Sequence, residues 1–233
     1  MTTSRRDFVQ LSLLAGGVAG LGLTRSGHAE TTTVGSADAK LKILVLGGTG
    51  LIGPPMVEYA LARGHEVTLF NRGKTKTELF PDLEKLKGDR DGDLASIEEA
   101  VAAGRRWDVV IDNTASIPRW VTASAGLLAD AADFYLYTSS ISAYAEHSTP
   151  NADETAPVGQ ISAEDEAKVL TTKDITGDNY GPLKARCEEE ARKAFTPDRT
   201  CVVRPGLIVG PGDYSDRFTY WPVRITKGGE VMA

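Results

Sequence analysis

The stretch Leu41–Gly53, with the sequence LKILVLGGTGLIG, constrains the fold of this 233-residue chain more than any other. A short apolar run breaks into three glycines spaced three apart, Gly47, Gly50 and Gly53, and a helical pattern of apolar residues follows. A second apolar run, Glu66–Phe70, comes after a short polar turn. This order predicts a strand, a tight turn, a helix and a second parallel strand, which together make a β-α-β unit.

The glycine spacing also has a chemical meaning. We expect Gly47 to allow the tight turn, Gly50 to let a phosphate approach the backbone, and Gly53 to let the helix pack closely on the strand. The helix N-terminus adds free N–H groups and a partial positive charge. The stretch therefore predicts a site for the pyrophosphate of a dinucleotide, with the binding residues Gly47, Thr49, Gly50, Leu51, Ile52 and Gly53.

Further apolar runs predict an α/β fold, a doubly wound parallel sheet of the Rossmann type with helices on both faces. After the two strands of the β-α-β unit, the expected strands are Leu83–Lys87, Asp108–Asp112, Phe134–Thr138 and Thr200–Arg204, and the expected helices include Leu94–Ala103 and Trp120–Ala132. Ligands of such sheets gather at the carboxyl ends of the strands. Asn113, Thr114 and Ala115 follow the fourth strand, so we expect them to line a cofactor channel.

The residues after the second strand bear on the choice of cofactor. An Asp or Glu here would hold the 2′-hydroxyl of NAD, but the chain has Asn71 and Arg72, with Lys74 near. A guanidinium pairs well with a 2′-phosphate, so we prefer NADP over NAD. The alternative is that both cations are solvated loop residues. Asp89, after the third strand, is expected to accept from the adenine amino group or to cap its own turn.

The first 29 residues resemble a twin-arginine signal peptide. Arg5 and Arg6 precede Phe8 and a short, glycine-diluted apolar run, and Gly-His-Ala at 27–29 is an acceptable cleavage site. The alternative is an uncleaved amphipathic anchor. Cleavage would leave 30–40 as a flexible leader, and the resemblance implies export to the periplasm or the exterior. Because that compartment has no obvious NAD(P)H pool, export favours a cofactor that stays bound.

The balance of charge argues against a nucleic-acid surface. The formal charge is −6, and the first 29 residues contribute +2, so the remainder carries −8. We expect Cys187 and Cys201 to be buried small residues, and the alternative is that they become oxidised in an exported protein. The three histidines have no metal-ligand spacing, so no metal is expected.

Two segments in the second half carry candidate catalytic groups. Ser139–Tyr144 follows the fifth strand, and Tyr180 and Lys184 lie four apart at a predicted helix start, on one face of that helix. With these residues the chain resembles the extended, epimerase/dehydratase-like branch of the short-chain dehydrogenase/reductase superfamily. The motifs that carry the resemblance are GGTGLIG, TSSISAY, YGPLK and RPGLIVGPGD.

The resemblance implies a role for each of these residues. Tyr180 would be the general acid/base at a hydroxyl or ketone of a sugar-like substrate, because the Lys184 ammonium favours the phenolate. Lys184 would also hold the nicotinamide ribose, and Ser140, with Ser139 as the fallback, would hydrogen-bond the reacting oxygen. The implied activity is that of an oxidoreductase or epimerase. The alternative is a non-catalytic NAD(P)-binding or RNA-binding protein, as in the branch of the chloroplast stem-loop binding proteins.

These motifs define the expected domain organisation. Residues 41–213 form the nucleotide-binding domain, and 214–233 begin a substrate lobe that in the family continues further, so we expect the chain to be truncated. The acidic connection Glu146–Asp178 is expected to be a lid or disordered, with a short helix near 161–170. The expected partners are a small-molecule substrate, the export machinery and a possible homodimer, with neither nucleic acid nor a stable membrane span in the mature form.

Overall fold

The computed structural model describes residues 34–113, 115–210, 212–213 and 215–230. The expected signal peptide at 1–29, the first part of the leader at 30–33, and Thr114 lie outside the described residues. No helix in the described part is both long enough and apolar enough to cross a bilayer.

A six-stranded parallel sheet forms the centre of the structure, as the sequence predicts. The strand order is β3-β2-β1-β4-β5-β6, which is the order of the doubly wound nucleotide-binding fold. The strands are β1 (Lys42–Leu46), β2 (Glu66–Asn71), β3 (Lys85–Lys87), β4 (Trp107–Asp112), β5 (Ala132–Thr138) and β6 (Thr200–Val203).

Six helices accompany this sheet in the described residues: α1 (Gly53–Ala62), α2 (Ala95–Ala102), α3 (Pro118–Leu128), α4 (Ala163–Thr172), α5 (Gly177–Phe195) and α6 (Tyr220–Thr226). The third begins two residues earlier than predicted, because a proline is well suited to the first helical turn. It also ends earlier than predicted, since Ala132 already belongs to β5.

Side chains alternate across the sheet and build a core on each face. Ile43 and Val45 of β1 pack with Val57 and Ala60 of α1 on one face. Leu44 and Leu46 belong to the larger core on the other face, which α2, α3 and α5 cover. Burial on both faces explains why the central strands are almost continuously apolar.

The connection between β5 and α5 is packed, contrary to the expectation of a lid or disorder. Gly159 N–H donates to Ala143 O over 2.8 Å, and Tyr144 and Val158 form an isolated antiparallel bridge. Helix α4 buries Val169 in a small apolar cluster with residues of α3 and α5. The short helix expected near 161–170 is present as α4, but the acidic composition gave no sign that the segment packs on the sheet domain.

Candidate functional site

The candidate site lies along the carboxyl edge of the sheet. Since all six strands are parallel, the residues that follow β1, β2, β3, β4 and β5 meet at this one edge. The strand order reverses between β1 and β4, and ligands of open α/β sheets bind at such a switch point. The structure therefore gathers here residues as far apart in the sequence as Gly47 and Ser140.

The glycine turn has the close packing expected from its sequence. Gly47 has a φ of 92°, in the region that favours glycine. A Cβ added at Gly53 would lie 2.4 Å from the carbonyl carbon of Gly48, so α1 can approach the turn only with glycine at this position. A Cβ at Gly50 would meet nothing within 4 Å, which leaves this side of the turn open to a ligand.

The turn opens onto a cleft of about 250 Å³. Its lining comes from the glycine turn, the end of β2, the end of β3 and the start of α3, and comprises Gly47, Thr49, Gly50, Phe70, Asn71, Arg72, Gly73, Lys74, Thr75, Gly88, Asp89, Arg90 and Trp120. Leu51 and Ile52 are half-buried at the entry to α1, where no side chain caps the helix. Pro54 and Pro55 in the first turn of α1 have no N–H, so the backbone donors that could face this cleft precede them in the chain.

The two residues after β2 differ in how they are held. Asn71 Oδ1 accepts from Gly73 N–H over 2.9 Å, which fixes the turn. Arg72 and Lys74 are exposed and line the cleft. The turn 71–75 itself contains no acidic residue. Asp89 lines the cleft too, and its Oδ1 accepts from Asp91 N–H over 3.1 Å, so it caps its own turn.

Arg90 and Asp112 form a buried ion pair under the cleft. The guanidinium contacts both carboxylate oxygens, with Nη2 at 2.7 Å from Oδ2, and Tyr135 donates to the same Oδ2 over 2.6 Å. Burial alone would raise the pKa of Asp112, but Arg90 and Tyr135 more than offset it, so the pKa lies below its usual range. The pair fixes the β3 turn to the end of β4.

The segment after β4 supports the catalytic candidates. Asn113 is 9% exposed, and its Oδ1 accepts from the Thr138 hydroxyl over 3.0 Å, which joins the ends of β4 and β5. Ala115 is fully buried and therefore contributes its carbonyl oxygen instead of a cleft surface. That oxygen accepts from Tyr137 over 2.7 Å and from Lys184 Nζ over 2.9 Å.

Lys184 lies on α5 with its ammonium between β4 and β5. Its side chain is 3% exposed, and Nζ also donates to Thr138 O over 2.6 Å. The ammonium is 4.5 Å from the centre of the Tyr137 ring. Burial lowers the pKa of Lys184 below its usual range. The structure thus holds a desolvated cation at the carboxyl edge, on the helix that carries Tyr180.

Helix α5 begins with a capping box, since Thr176 Oγ1 accepts from Asn179 N–H and Asn179 Oδ1 accepts from Thr176 N–H. Tyr180, half-buried, follows this cap. The next residue, Gly181, lies against the 3₁₀ turn Ile141–Ala143, where an added Cβ would be 2.0 Å from Ser142 O. The close approach brings the helix of Tyr180 onto the segment that follows Ser140.

The two serines after β5 have different surroundings. Ser139 is 4% exposed and donates to Glu188 Oε1 over 2.5 Å. Glu188 in turn binds Arg204 through both carboxylate oxygens, at 2.9 and 2.6 Å. Ser140 is half-buried, and its oxygen accepts from Ser142 N–H over 3.1 Å, which leaves its own proton to donate. These contacts favour Ser140 over Ser139 as a residue that could meet a ligand.

The cysteines are free thiols. Cys187 is fully buried on α5, where burial raises its pKa to about 12, and Cys201 is half-buried on β6. The prediction of a buried small residue is thus confirmed for Cys187. A thiol with so high a pKa is a weak nucleophile at neutral pH.

We expect replacement of Gly181 by alanine to lower the free energy of unfolding by about 1–3 kcal/mol, because its methyl group would displace α5 from the 3₁₀ turn. Gly177→Ala on the same helix is the matched control, since a Cβ there would meet nothing within 4 Å. Urea unfolding of both variants makes the comparison. Equal stability of the two would show that the close approach at Gly181 does not constrain the helix.

With this fold and site, the chain belongs to the NAD dependent epimerase/dehydratase family. The model of that family matches residues 43–232. The Bos taurus "Epimerase family protein SDR39U1" is 26% identical over 200 residues, 82% of this chain and 62% of that protein. The 2-alkyl-3-oxoalkanoate reductase of Stenotrophomonas maltophilia is 30% identical over 185 residues, 74% of this chain and 52% of that protein. The chain thus spans about half to two-thirds of each of these relatives.

Among solved structures, the Bordetella bronchiseptica enzyme WbmG in complex with NAD is similar, with a TM-score of 0.59 and 18% identity. The match covers 84% of this chain and 62% of that one. At this identity the likeness concerns the fold, and it agrees with the doubly wound sheet described above.

Two contributors to the site escaped prediction from the sequence. Arg90 and Trp120 line the cleft, although neither belongs to a motif that the sequence singles out. For Arg90, the sequence shows only an arginine directly after the Gly-Asp turn, because its partner Asp112 lies 22 residues away. For Trp120, the sequence shows only an aromatic residue in a predicted helix.

Proposed function

We propose that this chain is an NADP-dependent oxidoreductase or epimerase that acts on a hydroxyl or ketone of a sugar-like small molecule. One observation carries the proposal: a glycine turn that opens onto a cleft shares a sheet edge with the segments of Ser140, Tyr180 and Lys184. Membership of the epimerase/dehydratase family supports the same reaction class.

The residues around the turn suit a dinucleotide. The open side of Gly50 and the uncapped start of α1 would hold the pyrophosphate, with the N–H groups of Leu51 and Ile52 as donors. Arg72 would bind the 2′-phosphate at the end of β2. Lys184 and Asn113 would lie toward the nicotinamide ribose. When bound, the nicotinamide supplies or accepts the hydride.

The chain's own part in the reaction is proton transfer and orientation. The Tyr180 hydroxyl would give a proton to a substrate ketone, or the phenolate would take one from a substrate hydroxyl. The buried Lys184 ammonium on the same helix would stabilise the negative charge that develops on the phenolic oxygen. The free proton of Ser140 would donate to the same substrate oxygen and orient it.

A direct test begins with the nucleotide. We expect the purified chain to release NADP or NAD on denaturation, or to bind NADP in isothermal titration. With bound nucleotide it should interconvert hydroxyl and ketone groups in a panel of sugars, nucleotide sugars and 3-oxo acids. A chain that carries no dinucleotide and binds none would overturn the proposal, and binding without any turnover would leave the non-catalytic alternative.

We expect Arg72→Ala to weaken NADP binding about tenfold or more and to leave NAD binding unchanged. The variant would lose the charge-assisted hydrogen bond, about 1.5–3 kcal/mol, between the Arg72 guanidinium and a phosphate that NAD lacks. Arg106→Ala is the matched control, an exposed arginine at the opposite edge of the sheet. Titration with both nucleotides measures the effect, and an equal loss for NAD and NADP would remove the assigned role in cofactor choice.

Export by the twin-arginine route is part of the same proposal. The Arg5-Arg6 pair and the apolar run that follows support it. An exported enzyme of this class would keep its nucleotide through translocation and regenerate it within each catalytic cycle.

A further inference from the structure

One of the aromatic side chains that line the cleft is partly exposed. Of the two aromatic residues in its lining, Phe70 is only 2% exposed and belongs to the core. Trp120, at the start of α3, is half-buried and lines the cleft opposite the end of β2. It also packs against the apolar cluster of Ile117, Val169 and Leu183. The indole therefore has support from the protein and a surface toward the cleft.

Asp91 holds the polar end of this indole. Its Oδ1 accepts from Trp120 Nε1–H over 3.2 Å and from Arg119 Nη2 over 2.5 Å. Its other oxygen pairs with Lys173, which follows α4. The carboxylate is 20% exposed, so it is largely withdrawn from water. One side chain thus links the β3 turn, the start of α3 and the end of α4.

The position of Trp120 along the cleft decides what would contact it. If the glycine turn takes the pyrophosphate and Arg72 the 2′-phosphate, the adenine extends past the ribose toward the end of β3. Gly88–Arg90 and Trp120 line that end of the cleft. A flat purine ring beside an indole gains a stacking interaction that every base can make.

We propose that Trp120 is the wall on which the adenine ring stacks, and that Asp91 is a positioning residue that holds the indole through its N–H. The proposal rests on the dinucleotide function proposed above. It assigns part of the affinity for the adenine half of the ligand to residues outside the glycine turn.

The first test removes the Trp120 indole. Trp120→Ala should weaken binding of NADP and of adenosine 2′,5′-bisphosphate about tenfold, and Trp120→Phe should recover most of it. Nicotinamide mononucleotide, which lacks adenine, should bind both variants as it binds the original chain. Trp221→Ala, an exposed tryptophan on α6 outside the cleft, is the matched control. Isothermal titration at matched protein concentration measures all of these.

Fluorescence provides an independent readout. Adenosine 2′,5′-bisphosphate should quench tryptophan emission in the original chain and in Trp221→Phe, and the quench should disappear in Trp120→Phe. If the original chain binds NADP and Trp120→Ala binds it equally well, the stacking proposal is wrong and the proposed function stands. If the original chain binds no dinucleotide, both are wrong.

The second test separates the indole contact of Asp91 from its ion pairs. Asp91→Ala should weaken NADP binding, whereas Asp91→Asn keeps an oxygen that can accept from the indole and should restore it. Arg119→Ala and Lys173→Ala remove only the ionic partners and should bind NADP normally. Loss of binding in Asp91→Asn equal to that in Asp91→Ala would contradict the positioning role, as would a loss in both ion-pair variants.

Discussion

Replacing Tyr180 by phenylalanine should lower turnover by about 10²- to 10⁴-fold and leave NADP affinity unchanged. The change removes the proton that the phenol would exchange with substrate and keeps the ring, the helix start and the contact of Gly181 with the 3₁₀ turn. Steady-state kinetics on any sugar or 3-oxo acid that the chain converts, together with nucleotide titration, measure the two quantities separately.

Tyr59→Phe is the matched control for this variant. Tyr59 lies on α1, is 54% exposed, and does not line the cleft. It loses the same hydroxyl without a change in the site, so its turnover should equal that of the original chain. If Tyr180→Phe keeps full turnover, proton transfer must be assigned to another group and Tyr180 loses its role.

The second large effect is expected at the buried ion pair. Asp112→Ala should lower the free energy of unfolding by about 3–5 kcal/mol, because it leaves the Arg90 guanidinium buried without its carboxylate. Tyr135 would lose its acceptor as well. Urea unfolding measures the change. Glu84→Ala breaks the much more exposed pair with Arg105 and should cost less than about 1 kcal/mol.

Acid gives a second measurement of the same pair. Because the folded-state pKa of Asp112 lies below its usual value, its contribution to stability is complete above the unfolded pKa near 3.9 and is lost as pH falls through the folded pKa. The free energy of unfolding should therefore decrease below about pH 4, and less steeply in Asp112→Asn. An equally steep decrease in this variant would mean that other carboxylates, such as Glu188, dominate the acid response.

The sequence predicted the parts of the site that depend on local chemistry. The glycine turn and the edge at which the strands end follow from patterns of a few residues, and the structure has both. The roles of Tyr180, Lys184 and Ser140 stay predictions, but the structure places their segments at one edge. The structure adds that Ser139 is hydrogen-bonded to Glu188. The sequence, with two adjacent serines, could not show which of them is engaged in this way.

The remaining features depend on contacts between distant segments. Asp91 pairs with Lys173, which lies 82 residues further along the chain, and Arg90 pairs with Asp112, which lies 22 residues further along. No local pattern encodes such pairs, so the cleft wall at Trp120 could not be predicted. The same reason applies to the connection before α5, whose acidic sequence gives no sign that Val169 packs against residues of α3 and α5.

The two carbonyls that hold Lys184 have a consequence for conformational entropy. A free lysine side chain has about 2 kcal/mol of rotamer entropy to lose when it becomes fixed. Here Ala115 O and Thr138 O already fix it in the folded chain. The loss belongs to folding and not to complex formation, so the cation is already fixed in place before any ligand arrives.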